Sequence, residues 1–124
     1  LIVSKKEILI VEDQDELRKL ECLLLSSRGY LVEGVADGRA ALDYLENRQP
    51  DLVLLDVMLP EVDGFEVCRQ IKSNHETRHI PVIMVTAKAS HEDMLRGEEV
   101  GANAYLTKPF KSAMIIENIK AFLG

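Results

Sequence analysis

DLVLLD, residues 51–56, sets four consecutive apolar residues between two carboxylates. The run is short for a helix, and its lack of polar alternation means that both faces of a strand there would be covered. Strands buried on both faces belong to parallel sheets flanked by helices. Pro50, immediately upstream, ends any helix that precedes the run. EILIVE at 7–12 and PVIMVT at 81–86 have the same character. Pro81 stands at a strand start, where its missing N–H is tolerated. Tyr30 to Ala36 and Ala102 to Thr107 read as two more strands, the first with Tyr30, Val32 and Gly34 on one face.

Between these runs the period lengthens. Leu17, Leu20 and Leu24 recur at helical spacing within Gln14 to Arg28, and Gly29 offers a C′ stop. Asp37 can cap a helix to about Asn47 that turns Ala41, Leu42 and Leu45 inward. Asp63-Gly64 opens a third helix through about Ser73, carrying Phe65, Val67 and Ile71. Ser90 and Asp93 have the spacing of a capping box for a fourth, which runs to about Val100 and ends at Gly101. Ser112 is a candidate cap for the fifth, with Ile115, Ile119 and Phe122 on one stripe. Five strands alternating with five helices define an α/β fold with a parallel sheet, and right-handed crossovers place helices on both faces. The 124 residues contain no repeat, low-complexity tract or linker, so 1–124 reads as one domain.

Composition narrows the function classes. Hydrophobic residues make up 47% and charged residues 29%, an ordinary globular balance. A net charge of −6 without any basic run argues against direct nucleic-acid binding. No apolar stretch approaches the ~20 residues needed to span a bilayer, so no membrane role is expected. Leu1 to Ser4 is apolar but short, and Lys5, Lys6 and Glu7 follow, unlike a secretory signal. Cys22 and Cys68 show neither metal-ligand spacing nor a disulfide framework, which suits a reducing, cytoplasmic compartment.

In open parallel sheets, sites form beyond the carboxyl ends of the strands. Glu12 and Asp13 end the first strand, Asp56 the third, Thr86 the fourth, and Thr107 and Lys108 the fifth. Three carboxylates converging there repel one another unless a proton or a cation intervenes. An all-oxygen donor set with room for water suits Mg2+ better than Zn2+ or Ca2+. An Asp carboxylate is a competent nucleophile towards a phosphoryl group, provided that positive charge offsets the repulsion between two anions. Mg2+ and Lys108 can supply that charge, and Thr86 can donate a hydrogen bond.

VED at 11–13, DVMLPEVDG at 56–64, VTA at 85–87 and YLTKPF at 105–110, in this order, resemble the receiver domains of bacterial response regulators across essentially the whole chain. The resemblance implies a flavodoxin-like, doubly wound sheet of order 2-1-3-4-5. It implies that Asp56 is the phosphoacceptor. Asp13 and Asp56 match direct Mg2+ ligands, Met58 the backbone carbonyl ligand, and Glu12 an acidic position acting through water. Thr86, Lys108 and Tyr105 match the switch hydroxyl, the phosphoryl-binding lysine and the switch aromatic, with the Lys108-Pro109 bond cis. The implied partner is a histidine kinase or histidine phosphotransfer protein, docking near the first helix. A downstream effector and a phosphorylation-dependent dimer are further partners of that kind of domain. The surface expected to change is the fourth helix, fifth strand and fifth helix. A haloacid-dehalogenase-type phosphatase would need a second Asp two residues after the nucleophile, where this chain has Met58. A flavodoxin would not place Glu12, Asp13 and Asp15 where the FMN phosphate binds. His75, His79 and His91 fall off the strand ends and are expected to be exposed. Met84 and Met94 read as packing residues.

Overall fold

The computed structural model describes residues 4–124, so the apolar start at 1–3 lies outside the described residues. The elements alternate as β1 Glu7–Val11, α1 Asp15–Ser26, β2 Leu31–Val35, α2 Gly38–Asn47, β3 Leu52–Leu55, α3 Gly64–Ser73, β4 Val82–Thr86, α4 His91–Glu99, β5 Ala104–Thr107 and α5 Ser112–Leu123. The five strands form one parallel sheet of order β2-β1-β3-β4-β5. The chain reverses its direction of travel across the sheet between β1 and β3, and both of these strands end in carboxylates.

Alternation along the strands sorts two cores. Leu9, Val11, Val53, Leu55, Val82 and Met84 face the layer built by α2, α3 and α4. Ile8, Ile10, Leu52, Leu54, Ile83 and Val85 face the layer of α1 and α5. Burial of whole Leu, Ile and Val side chains on both faces is worth about 1.5–3 kcal/mol each, which is why the central strands tolerate no polar residue until they end.

Local chemistry fixes the helix starts. The Asp37 carboxylate accepts from the Ala40 N–H, and Asp63 accepts from Glu66. Ser90 and Asp93 form the reciprocal capping box. Gly101 takes φ +96° after α4, a conformation that suits glycine.

Several expectations shift. Ser112 does not cap α5: it is the first helical residue, and Lys111 holds the cap position without a side-chain bond. The buried stripe of that helix is Ile115, Ile116 and Ile119, while Phe122 sits at the exposed edge. β5 begins two residues late because Asn103 occupies both ends of a local exchange with Val82. α1 ends at Ser26 with Ser27 as its cap, so Gly29 lies one residue past C′. The α1 stripe is also misphased. Leu20 points outward, and Glu21 and Leu25 are the fully buried positions. All three histidines are exposed, Met84 is core, and Met94 lies at the surface, as the sequence indicates.

Candidate functional site

β1 and β3 are neighbours in register, Val11 opposite Leu55, so the residues that follow them meet beyond the sheet edge. Backbone bonds continue past both strands: Glu12 N–H donates to Val35 O, and Asp56 N–H to Val11 O, each at 3.0 Å. Glu12, Asp13 and Asp56 can each bring a carboxylate oxygen within 4.8 Å of the other two. Glu12 and Asp56 are buried and Asp13 is exposed, so the cluster has a wet mouth and a dry floor.

Lys108 reaches into this cluster from the loop after β5. Its Nζ donates to Glu12 Oε1 at 2.7 Å and to Asp56 Oδ2 at 2.8 Å. The Lys108 N–H donates to Thr86 O at 2.8 Å, which anchors the stem to β4, and the Lys108-Pro109 bond is cis. Burial alone would lower the ammonium pKa. The hydrogen bonds and charges of Asp56 and Glu12 outweigh that and raise it, so the lysine stays charged. Glu12 is pushed above the ordinary carboxylate range by burial, against the pull of Lys108 and of the Gln14 N–H. Burial therefore makes the Glu12 carboxyl resist ionisation, and a nearby divalent cation would favour the charged form.

The Asp56 carboxylate is aimed by two contacts, with Lys108 on Oδ2 and the Met58 N–H on Oδ1 at 3.1 Å. The Met58 side chain is exposed, so it is its backbone that lies against the cluster. Gly64 permits the close fold of the β3–α3 connection: a Cβ there would stand 2.2 Å from Asp56 O. Its N–H donates to Val57 O at 2.8 Å. Glu61 in the same connection takes φ +69°.

Thr86 ends β4, is fully buried, and accepts from the Lys88 N–H at 3.3 Å. Ala87 follows it as a small, exposed residue. Tyr105 lies further out. Its hydroxyl donates to Lys88 O at 2.7 Å, and its ring packs on Gly97 of α4, where a Cβ would come within 2.7 Å of it. Burial, followed by the charges of Asp93 and Asp56, pushes the Tyr105 phenol up to about 12. Glu12, Asp13, Asp56 and Lys108 thus converge directly, whereas Thr86 and Tyr105 form a second line joined through Lys88.

Two nearby residues escape the sequence argument. Arg18 Nη1 donates to Glu12 O at 2.8 Å and holds the turn from β1 into α1. Glu21 is buried on α1, and the helix phase that exposes it to view, Leu17-Glu21-Leu25 at i, i+4, i+8, was available in the sequence. Both cysteines are free thiols, and burial pushes Cys68 up to about 11, which keeps it unreactive. Among the described residues no helix is long and apolar enough to cross a membrane.

Comparison with known proteins gives a consistent result. Residues 8–120 match the family described as response regulator receiver domain. The chain is 43% identical over 119 residues to the polar-differentiation response regulator DivK of Brucella anthropi, covering 96% of this chain and 97% of that protein. The receiver domain of sensor histidine kinase PA1611 from Pseudomonas aeruginosa, solved with a magnesium ion coordinated in its active site cleft, superimposes with a TM-score of 0.90 at 36% identity, covering 98% of this chain and 99% of the other. The signal receiver domain of a signal transduction histidine kinase from Syntrophus aciditrophicus gives a TM-score of 0.90 at 38% identity, covering 95% and 89%.

Proposed function

This chain belongs to the response regulator receiver domains of two-component signalling, and on that premise we propose that Asp56 accepts the phosphoryl group, with Mg2+ as the required ion. The family's activity is self-phosphorylation and dephosphorylation at an aspartate, not turnover of a released product. The observation that best supports the assignment to Asp56 is the Lys108 ammonium bridging Asp56 and Glu12 while Asp13 completes a carboxylate cluster beside them.

The cluster fits a hard divalent cation by its chemistry: oxygen donors only, an exposed mouth that admits water, and a Glu12 carboxyl that burial holds above its ordinary range. Asp13, Asp56 and the Met58 carbonyl would hold the ion directly, with Glu12 acting through water. A bound Mg2+ supplies charge neutralisation between the incoming phosphoryl oxygens and the carboxylates. Lys108, whose Nζ lies 2.8 Å from Asp56 Oδ2, is within reach of an oxygen of a phosphoryl group approaching that carboxylate and would hold it. An Asp56 oxygen attacks phosphorus in line as the bond to the donor nitrogen breaks. The Thr86 hydroxyl, which has a proton to donate while it accepts from Lys88, turns to a further phosphoryl oxygen. Its movement opens the space into which Tyr105 rotates, releasing the Lys88 carbonyl and altering the α4–β5–α5 face, where Met94, Leu95 and Met114 are exposed. The donor is a phosphohistidine carried by a histidine kinase or phosphotransfer protein, and the compartment is the cytoplasm. Residues 1–124 act as one domain.

Acetyl phosphate followed by intact-mass measurement tests the assignment. One phosphoryl group is expected, only with Mg2+, and none in Asp56→Asn. Label that persists in that variant would move the acceptor elsewhere. Thr86→Ala is expected to take the label yet show weak chemical-shift changes at Tyr105 and α4. A full response from it would remove Thr86 from the switch.

A further inference from the structure

Glu21 is 3% exposed, and its Oε1 is buried without a hydrogen-bond partner among the described residues. Leaving a buried acceptor unsatisfied is costly, and native proteins pair the great majority of such atoms. Glu21 also lines a groove of about 410 Å³ between α1 and the start of α5. That volume lies within the range of about 300–1,000 Å³ typical of small-molecule sites. The other walls are Leu20, Leu23, Leu24 and Phe110, with Ser27 and Ser112 beside them. Mostly apolar walls around one polar group are the usual build of a small-ligand pocket, in which the polar group fixes orientation.

Charge decides which end of a ligand meets Glu21. Glu12 at the end of β1 and Asp56 at the end of β3 add negative potential there, and Lys108 from the loop after β5 opposes it. Lys108 already donates to both of those carboxylates. Arg18, on α1 itself, donates to Glu12 O and to Asp15. The nearby cations are thus committed elsewhere, and an anion would be repelled from the groove. Glu21 is the only acid among the lining residues, so a second positive charge on the same ligand would find no partner.

We propose that the α1–α5 groove binds a small primary monoamine with an apolar body, its ammonium on Glu21 and its body against Leu20, Leu23, Leu24 and Phe110. This goes beyond the receiver reading and does not rest on it. A single buried oxygen calls for one compact donor, which an ammonium supplies better than the two-pronged fork of a guanidinium. An ammonium also gains from the aromatic wall. Its hydrogen bond to a carboxylate is about twice as strong as that of a neutral alcohol, which gives the site its selectivity. Burial, followed by the charge of Glu12, pushes the free carboxyl up to about 8, so pairing releases its proton to solvent.

The test uses the whole chain with 13C-methyl-labelled leucine at pH 8, where that proton is most easily given up. The probes are 2-phenylethylamine and its near-isosteres 2-phenylethanol and phenylacetate. The amine is expected to give saturable shifts at the methyls of Leu20, Leu23 and Leu24, while those of Leu54 and Leu55, buried in β3, stay in place. It should bind at least tenfold more tightly than the alcohol, and phenylacetate should not saturate. Glu21→Leu should abolish the preference for the amine while taking the alcohol at least as well as the parent chain does. Glu21→Gln, which keeps the shape of the side chain, should lose most of the preference too, so the test does not hang on one variant. Equal binding of amine and alcohol to the parent chain, a preference that survives in Glu21→Gln, shifts confined to other leucines, or no saturable binding of the amine would each overturn the proposal.

Discussion

Glu12 and Glu21 are the same residue type, buried to 2% and 3% exposure on either side of one turn, yet their situations are opposite. Glu12 has an ammonium on Oε1 and a backbone N–H on Oε2. Glu21 has a buried oxygen with no hydrogen-bond partner among the described residues. Burial raises both carboxyl pKa values, but Glu12 is pulled back by Lys108 and Gln14, whereas Glu21, with Glu12 adding to its burden, is pushed up to about 8. Burial alone thus does not say whether an acid is useful as an anion. The partner does. At the sheet edge a cation is built in and a second cation is expected. Under α1 the buried carboxyl oxygen has no such partner among the described residues.

The sharpest way to break this contrast is to remove the cation. Lys108→Met leaves Asp56 and Glu12 facing each other without compensation, and stripping one partner from a buried ion pair costs about 3–5 kcal/mol. Urea unfolding at neutral pH should show a loss of that order, and acetyl phosphate labelling should fall by at least a hundredfold. Unchanged stability would mean that the lysine neutralises nothing.

The converse change relieves the unpaired acid. The folded-state pKa of Glu21, about 8, lies above its unfolded value of 4.5. Below 4.5 both states hold the proton and no penalty exists. Above it the unfolded chain ionises while the folded chain cannot, so stability falls as pH rises towards 8, by about 1.4 kcal/mol per unit at most. Glu21→Leu should therefore stabilise the protein by about 1–3 kcal/mol at pH 7. The gain should shrink steadily as pH is lowered to 4.5, as read by thermal unfolding across that range. A gain independent of pH would assign the effect to packing alone.

A smaller effect comes from supplying the second cation. At ten times its dissociation constant Mg2+ should stabilise the folded chain by about 1.4 kcal/mol. Asp13→Asn should lose most of that increment. Since Asp13 is exposed, its removal should scarcely alter stability in the absence of the ion, and that separates a ligand role from a structural one.

Where the two glutamates stood in the sequence explains why only one was legible. Glu12 ends a continuous apolar run, and the first charged residue after such a run fixes the strand end to within a residue. The same holds for Asp56 after DLVLLD and Thr86 after PVIMVT, so the carboxyl edge of the sheet could be read before any coordinates. The helix caps at Asp37, Asp63 and Ser90 were equally legible, because a side-chain acceptor at the first turn is a local device. Glu21 sits inside a leucine-rich helix, where Leu17, Leu20, Leu23, Leu24 and Leu25 permit more than one inward stripe. Tertiary contact with β2 and the start of α5 chose the stripe that buries Glu21 and exposes Leu20. No local rule disfavours either choice strongly enough to decide. Ser112 was misplaced by a single residue: the helix already begins at it, with Lys111 at the cap position, and a boundary of that precision is not fixed by a lone serine.

The smallest change gives the most selective test of the contrast. Glu21→Gln keeps the shape and one carbonyl oxygen at the site but cannot ionise. At pH 4.5 the parent carboxyl is protonated in the folded state and half protonated in the unfolded one, a residual penalty of only about 0.4 kcal/mol, and the two proteins should differ by less than about 1 kcal/mol, the usual scale of a substitution that breaks no existing bond. At pH 7.5 the parent carries its ionisation penalty and the variant does not, so their unfolding curves should separate by more than they do at pH 4.5. The sign distinguishes two causes that Glu21→Leu leaves mixed. If the penalty comes from burying an ionisable acid, Gln relieves it. If it comes only from an unpaired oxygen in an apolar wall, Gln retains the penalty at every pH and the two curves stay parallel. Parallel curves would remove the asymmetry between Glu12 and Glu21 as an electrostatic fact and leave it as a difference in hydrogen bonding.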